Sequence, residues 1–224
     1  MWNQLALAVL FLIAFILLLV FNEMVYRRLS LKGEVTRKFA HFTATLSTIT
    51  FPYLFEDHWY VLGLAVFFFI LLFVSRNSSY LKSIHDIERL SVGSYLLPVA
   101  IYLTFLVSTF MEDRLFFILP IMILAICDPA AGILGINLQQ YNHNIRIFNR
   151  KLQKTWLGSV SFFVSSFFIS VMALYFRYME FDLKVFWLAC AIAITGTVAE
   201  LLSWKGTDNL FIPMSVLLVL VLAL

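Results

Sequence analysis

The sequence predicts an all-α polytopic membrane protein of about eight transmembrane helices, with both termini on the outer side. Three observations carry this. The 224 residues are 62% hydrophobic and only 13% charged, whereas a soluble domain carries about 25% charged residues. Apolar runs close to the length of one bilayer crossing recur along the whole chain. Of the 16 Lys and Arg, all but Arg114, Arg177 and Lys184 fall in alternate connections. That asymmetry assigns those connections to the cytoplasm.

The predicted spans are 2–21, 39–55, 59–75, 91–110, 114–136, 157–178, 184–203 and 208–224. No Lys or Arg precedes the first, so it reads as a spanning helix and not as a cleavable signal. The second holds His41, Thr43, Thr45, Ser47, Thr48, Thr50 and Pro52 and needs shielding by its neighbours. The basic connections are those of Arg27, Arg28, Lys32, Arg37 and Lys38, of Arg76, Lys82 and Arg89, of Arg146, Arg150, Lys151 and Lys154, and of Lys205. The other connections are short and carry the pairs Glu56-Asp57 and Glu112-Asp113, as simple outer turns do. No repeat, linker or low-complexity tail is visible, so 1–224 reads as one membrane domain. Cys127 and Cys190 lie in apolar segments without metal-ligand spacing.

Four motifs break the apolar pattern near the cytoplasmic ends of the predicted spans. Residues 37–41 read R-K-F-A-H, and the three- and four-residue spacings put Arg37, Lys38 and His41 on one helical face. Such a face suits a phosphate or a lipid headgroup. Residues 128–135 read D-P-A-A-G-I-L-G after a long apolar run. A carboxylate there is costly facing lipid and belongs in a polar cavity. Pro129 can break or kink the helix, and Ala131 with Gly135 forms a small-residue face for close packing.

Residues 154–159 read K-T-W-L-G-S. Lys154, Thr155, Gly158 and Ser159 would then offer a point charge, hydroxyls and exposed N–H groups to phosphate, although the order is not that of a Walker A loop. Finally, Glu200 is embedded in an apolar helix, and Asp208-Asn209 opens the last one. Asp128, Glu200 and Asp208 are hard oxygen donors of the kind Mg²⁺ takes beside nucleotide phosphates. His58, His85 and His143 lie in connections and read as solvated.

Read in order, R-K-x-x-H, D-x-A-A-x-x-x-G, K-T-x-x-G-S and E followed by D-N-x-x-x-P resemble the polyprenol kinase family, which includes dolichol kinases, phytol kinases and CTP-dependent diacylglycerol kinases. The motifs span residues 37–213. The resemblance implies a multi-helix enzyme that moves the γ-phosphate of CTP to a lipid alcohol with Mg²⁺. It places weight on Asp128, Lys154, Glu200, Asp208, Asn209, Arg37, Lys38 and His41. Two positions depart from the family pattern: Cys127 where Gly is frequent, and Leu157 where an acid is frequent.

The expected mechanism has Asp128 with Asp208 or Glu200 on the metal, Lys154 with Arg37 or Lys38 on the phosphates, and His41 or an acid as base. K-T-W-x-G-S also resembles phosphatidate cytidylyltransferases, the second reading; a non-catalytic transporter or scaffold is the third. The expected partners are CTP, a lipid alcohol and the bilayer, without nucleic acid; oligomeric state stays open. The location is a plasma membrane if the source is bacterial, and endoplasmic reticulum or plastid if eukaryotic.

Overall fold

The computed structural model describes residues 3–29, 33–76, 81–85, 91–137, 144–147 and 150–224. Its helices are α1 (Gln4–Leu29), α2 (Gly33–Thr48), α3 (Phe51–Leu54), α4 (His58–Ser75), α5 (Lys82–His85), α6 (Gly93–Phe110), α7 (Leu115–Met122), α8 (Asp128–Asn137), α9 (Trp156–Tyr178), α10 (Leu183–Leu202) and α11 (Asp208–Ala223). Among the described residues, six helical stretches are long and apolar enough to cross a membrane: α1, α4, α6, Leu115–Gly135, α9 and α10. The chain is an integral multi-pass membrane protein. Apolar side chains such as Leu10, Leu17, Phe73, Phe168 and Leu222 are exposed on the outside of the bundle. Lipid accommodates such a surface at no cost.

Several expectations need correction. The predicted span 39–55 is not one helix. It divides into α2, which begins earlier, and the short α3 beyond a turn at Ile49 and Thr50. Pro52 sits in the first turn of α3, where its missing N–H costs nothing. The last predicted span is a 16-residue apolar helix, shorter than the other six. The basic stretch before α9 is a β-hairpin, β1 (Asn144–Ile147) paired antiparallel with β2 (Arg150–Thr155), so the chain is not purely helical. The side chains of Arg146, Arg150 and Lys151 lie outside the description, as do Lys32, Arg89 and His143.

Nor does Pro129 break its helix. Residues Ile123–Cys127 form a π-helical turn that joins α7 to α8. A proline has no N–H for the carbonyl four residues back and its ring crowds that carbonyl. Widening the preceding turn accommodates both, and the helix continues with Asp128 at its start.

Two of the acids in the turns expected outside, Asp57 and Asp113, and Asp182 before α10 accept backbone N–H groups at helix starts. Asp57 accepts from the Trp59 N–H at 3.2 Å, and Asp113 from the Leu115 N–H at 2.9 Å. Asp182 accepts from the Val185 N–H at 2.8 Å. Each satisfies an orphan donor of a first turn.

Two histidines read as solvated are half-buried. His58 Nδ1 lies 3.4 Å from the Tyr102 hydroxyl, and His85 Nε2 lies 3.1 Å from Ser75 Oγ. Burial, with the Arg76 guanidinium nearby, holds the His85 imidazole below its ordinary pKa. The neutral ring is therefore the folded form. The stability it confers is full above the unfolded value of about 6.5 and is lost as pH falls toward the folded one. Thermal melts in detergent should show a fall in Tm on acidification below about pH 6.5 that is smaller in His85→Gln; an identical fall in both proteins would remove His85 as its source.

A buried polar cluster joins α1, α2 and α5. Glu23 accepts from Arg27 Nε at 2.7 Å and from the Ser83 N–H at 2.8 Å. Thr36 Oγ1 donates to the Ser83 carbonyl at 2.9 Å. These bonds fix α2 against α1 and so orient the R-K-F-A-H face.

Candidate functional site

The Lys154 ammonium is the centre of a buried charge cluster. It lies 2.7 Å from Glu200 Oε1 and 3.2 Å from Asp208 Oδ2. The other Glu200 oxygen accepts from Ser159 Oγ at 3.3 Å. Asp128 acts electrostatically on Lys154 and on the His41 ring, and Arg37 acts on Asp208 and His41. Residues from α2, α8, β2, α10 and α11 are thus gathered at one end of the bundle. Burial alone would depress the Lys154 pKa, but the carboxylates of Asp208 and Glu200 outweigh it and hold the ammonium well above its usual range.

Local sequence explains how each group is delivered. Lys154 is the penultimate residue of β2, immediately before the Thr155 cap of α9. Thr155 Oγ1 accepts from the Gly158 N–H at 3.3 Å. Gly158 itself abuts the Ala131 carbonyl: a Cβ there would stand 3.0 Å from that oxygen. A Cβ on Gly135 would stand 2.8 Å from Thr155 Oγ1. The small residues of both motifs therefore let α8 and α9 touch, which holds Asp128 beside Lys154. Of the residues expected at the phosphate, Thr155 is the cap of α9, Gly158 packs against Ala131, and Ser159 Oγ donates to Glu200. Lys38 lies against α8, where a Cβ on Gly132 would overlap its ammonium.

Asn209 is buried, and its Nδ2 donates to the Gly93 carbonyl at 2.8 Å, tying α11 to the start of α6. The turn before α11 is held the same way. Gly206 has φ +87°, and a Cβ on it would stand 2.6 Å from the Gly93 nitrogen. Neither Gly93 nor Gly206 is singled out by the sequence motifs; the position of Gly206 directly before Thr207-Asp208-Asn209 is the signal that finds it. Gly206→Ala should cost about 2 kcal/mol through the positive φ and the backbone clash. Thermal unfolding in detergent would show it, and an unchanged Tm would mean the turn has room to relax.

The charge cluster adjoins a cavity. It encloses about 860 Å³, counting its open mouth, and is mostly apolar. On α2 it is lined by Arg37, Ala40, His41, Ala44 and Thr48, and on α4 by Val61, Leu64, Ala65, Phe68 and Leu72. Both sets follow one helical face. Phe15, Leu18 and Leu19 of α1 and Leu97, Pro98 and Ile101 of α6 complete the walls. Arg37, His41, Ser94 and Asn209 stand at one end. His41 Nε2 is buried there with no hydrogen-bond partner.

The donors suit a divalent ion that arrives with phosphates. Mg²⁺ is held by one or two carboxylates and completes its shell with phosphate oxygens and water. Asp128 and Asp208 both act on Lys154 and His41, and Asp208 accepts from Lys154 on Oδ2 and from the Asn209 N–H on Oδ1. Glu200, expected as a third ligand, has its oxygens on Lys154 and Ser159. Among the described residues no three His, Cys, Asp or Glu side chains form a metal cage.

No protein-family model matches the chain. No solved structure matches it either. Among characterised proteins it is similar to the phytol kinase of Synechocystis sp., 29% identical over 191 residues that cover 84% of this chain and 78% of that protein. The chain is thus a distant homologue of a member of the polyprenol kinase family, the family its motifs resemble.

Proposed function

We propose that the protein is a CTP-dependent kinase that transfers the γ-phosphate to the hydroxyl of a membrane-embedded lipid alcohol, at the cytoplasmic face. One observation carries the reading. A buried cluster of Lys154, Glu200, Asp208 and Asp128 meets the polar end of an apolar cavity at Arg37, His41 and Asn209. A lipid kinase needs these two halves, a phosphate site and a chain site, to share one boundary. The homology to a phytol kinase supports the same chemistry.

Phosphoryl transfer is catalysed chiefly by positioning and charge neutralisation. Lys154, Arg37 and Lys38 supply the cations for the triphosphate. Asp128 and Asp208 would hold Mg²⁺, which neutralises charge on the transferring phosphoryl group when bound. Glu200 and Ser159 orient Lys154. The alcohol lies with its chain in the cavity and its hydroxyl at His41 Nε2, which accepts the proton as the oxygen attacks.

Purified protein given CTP, Mg²⁺ and a panel of lipid alcohols tests this. Label in the γ-phosphate should reach the lipid. Label arriving from the α-phosphate of CTP with phosphatidate would replace the kinase by a cytidylyltransferase, and no transfer from either position would leave a transporter or scaffold.

A further inference from the structure

Pro129 leaves a backbone carbonyl without its helical partner. The turn Ile123–Cys127 is π-helical, so its carbonyls accept from the N–H five residues on. For Leu124 that residue is Pro129, which has no N–H to give. Asp128, four residues on, is the π partner of Ile123 by the same count. Leu124 is fully buried, and a bare carbonyl there costs as much as a lost hydrogen bond. It needs a donor from outside its own helix.

The donor comes from α2. This helix packs against the π turn, and the His41 ring makes a hydrogen bond to the backbone of Leu124. His41 Nε2 has no partner among the described residues, so the bond is made by Nδ1. A carbonyl only accepts; Nδ1 therefore carries the proton and, in the neutral ring, Nε2 carries the lone pair. That free nitrogen belongs to a ring that lines the cavity with Arg37 and Asn209 and feels the charges of Asp128 and Asp208.

From this arrangement we infer that Pro129 is a positioning residue for His41. By withholding its own N–H it leaves the Leu124 carbonyl to Nδ1–H, and so fixes the tautomer in which Nε2 is the acceptor. Which imidazole nitrogen holds the proton is set by the bond the other one makes. A ring protonated on Nε2 would meet the alcohol as a donor and take no proton from it. The inference rests on the lipid-kinase reading for what Nε2 does. It accepts the alcohol proton while the oxygen–phosphorus bond forms and the bond to the β-phosphate oxygen of CTP breaks. The tautomer itself stands apart from that reading. The dipeptide Asp128-Pro129 thus serves the site twice, through a carboxylate and through a carbonyl it sets free one turn earlier.

Pro129→Ala restores the N–H. The Leu124 carbonyl then accepts within the helix, from residue 129 in the π turn or from residue 128 if the turn relaxes to α. Nitrogen NMR of the full chain with isotope-labelled histidines, in detergent and at a pH where the ring is neutral, reads the tautomer without nucleotide or lipid. The His41 signals are those lost in His41→Asn. The native chain should show a protonated Nδ1 and a bare Nε2, and Pro129→Ala should move the proton toward Nε2. A native ring protonated on Nε2, or the same tautomer in both proteins, would overturn the inference. Pro129→Ala should also lower kcat for γ-phosphate transfer by at least about tenfold, with KM for CTP within about twofold. An unchanged kcat beside a shifted tautomer would end the positioning role. Because Pro129 adjoins Asp128, stability supplies an independent arm. His41→Asn keeps a side-chain N–H near the place of Nδ1 and His41→Ala does not. The Asn variant should melt higher than the Ala variant, and the difference should vanish when Pro129→Ala is added to both; equal melting without Pro129→Ala would mean that no bond to the carbonyl exists. The expected tautomer and coupling without phosphate transfer would sustain the role of Pro129 and refute the kinase; transfer with the tautomer indifferent to Pro129→Ala would do the reverse.

Discussion

Asp128→Asn should lower kcat for transfer from CTP by at least about a thousandfold, or about 4 kcal/mol at about 1.4 kcal/mol per decade. The substitution keeps the shape of the side chain and removes its charge. Asp128 stands at the start of α8, directly after the π turn, and acts on both Lys154 and His41. If it holds the ion that accompanies the triphosphate, the amide forfeits that ion and leaves the transferring phosphoryl group under-neutralised. Nothing in the packing of α8 against α9 depends on the charge, because Ala131, Gly135 and Gly158 make that contact. Melting temperature and membrane insertion should therefore stay near those of the native chain. Full turnover in Asp128→Asn would remove Asp128 from the site; a large fall in Tm would make it a structural residue.

Lys154→Met should abolish transfer and also destabilise the fold by about 3–5 kcal/mol, the usual cost of stranding buried charge. Glu200 has 4% of its side chain exposed and would lose the partner 2.7 Å away. Asp208 would lose its contact at 3.2 Å. The double variant Lys154→Met, Glu200→Gln removes both charges of the closer pair. It should recover much of the stability and none of the transfer. That pattern separates the role of Lys154 toward phosphate from its role in holding α9, α10 and α11 together. Recovery of activity in the double variant would show that Lys154 only balances Glu200.

The pH dependence follows from the raised pKa of Lys154, which Asp208 and Glu200 produce against the effect of burial. A folded value above the unfolded one means that this stabilisation is complete below the unfolded value of about 10.4. It is lost only as pH rises through the folded value. The rate profile should therefore show no alkaline limb from Lys154 up to about pH 10.

The motifs were legible as chemistry because membranes make polar residues informative. An acid in an apolar run has few tolerable places, so Asp128 and Glu200 announced a polar interior. Helical spacing placed Arg37 and His41 on one face, and both line the cavity. What local pattern misjudged was α2 and the hairpin. The polar residues of α2 lowered its hydropathy and blurred its bounds. The hairpin carries a period-two signal in Ile145, Arg146 and Ile147 that the density of basic residues obscured.

Composition and the spacing of charges were enough to determine a multi-pass membrane protein, because backbone in lipid must satisfy its own hydrogen bonds and only long apolar helices or closed barrels do so. They also named the residues worth asking about. Only the tertiary structure decided who meets whom. Lys154 reaches Asp208 across 54 positions and Asn209 reaches Gly93 across 116. It also decided that Arg37, His41 and Asn209 line one cavity with apolar residues of α1, α4 and α6. Contacts at such separations leave no periodic trace in the chain, since they are fixed by how whole helices pack and not by the neighbours of any one residue.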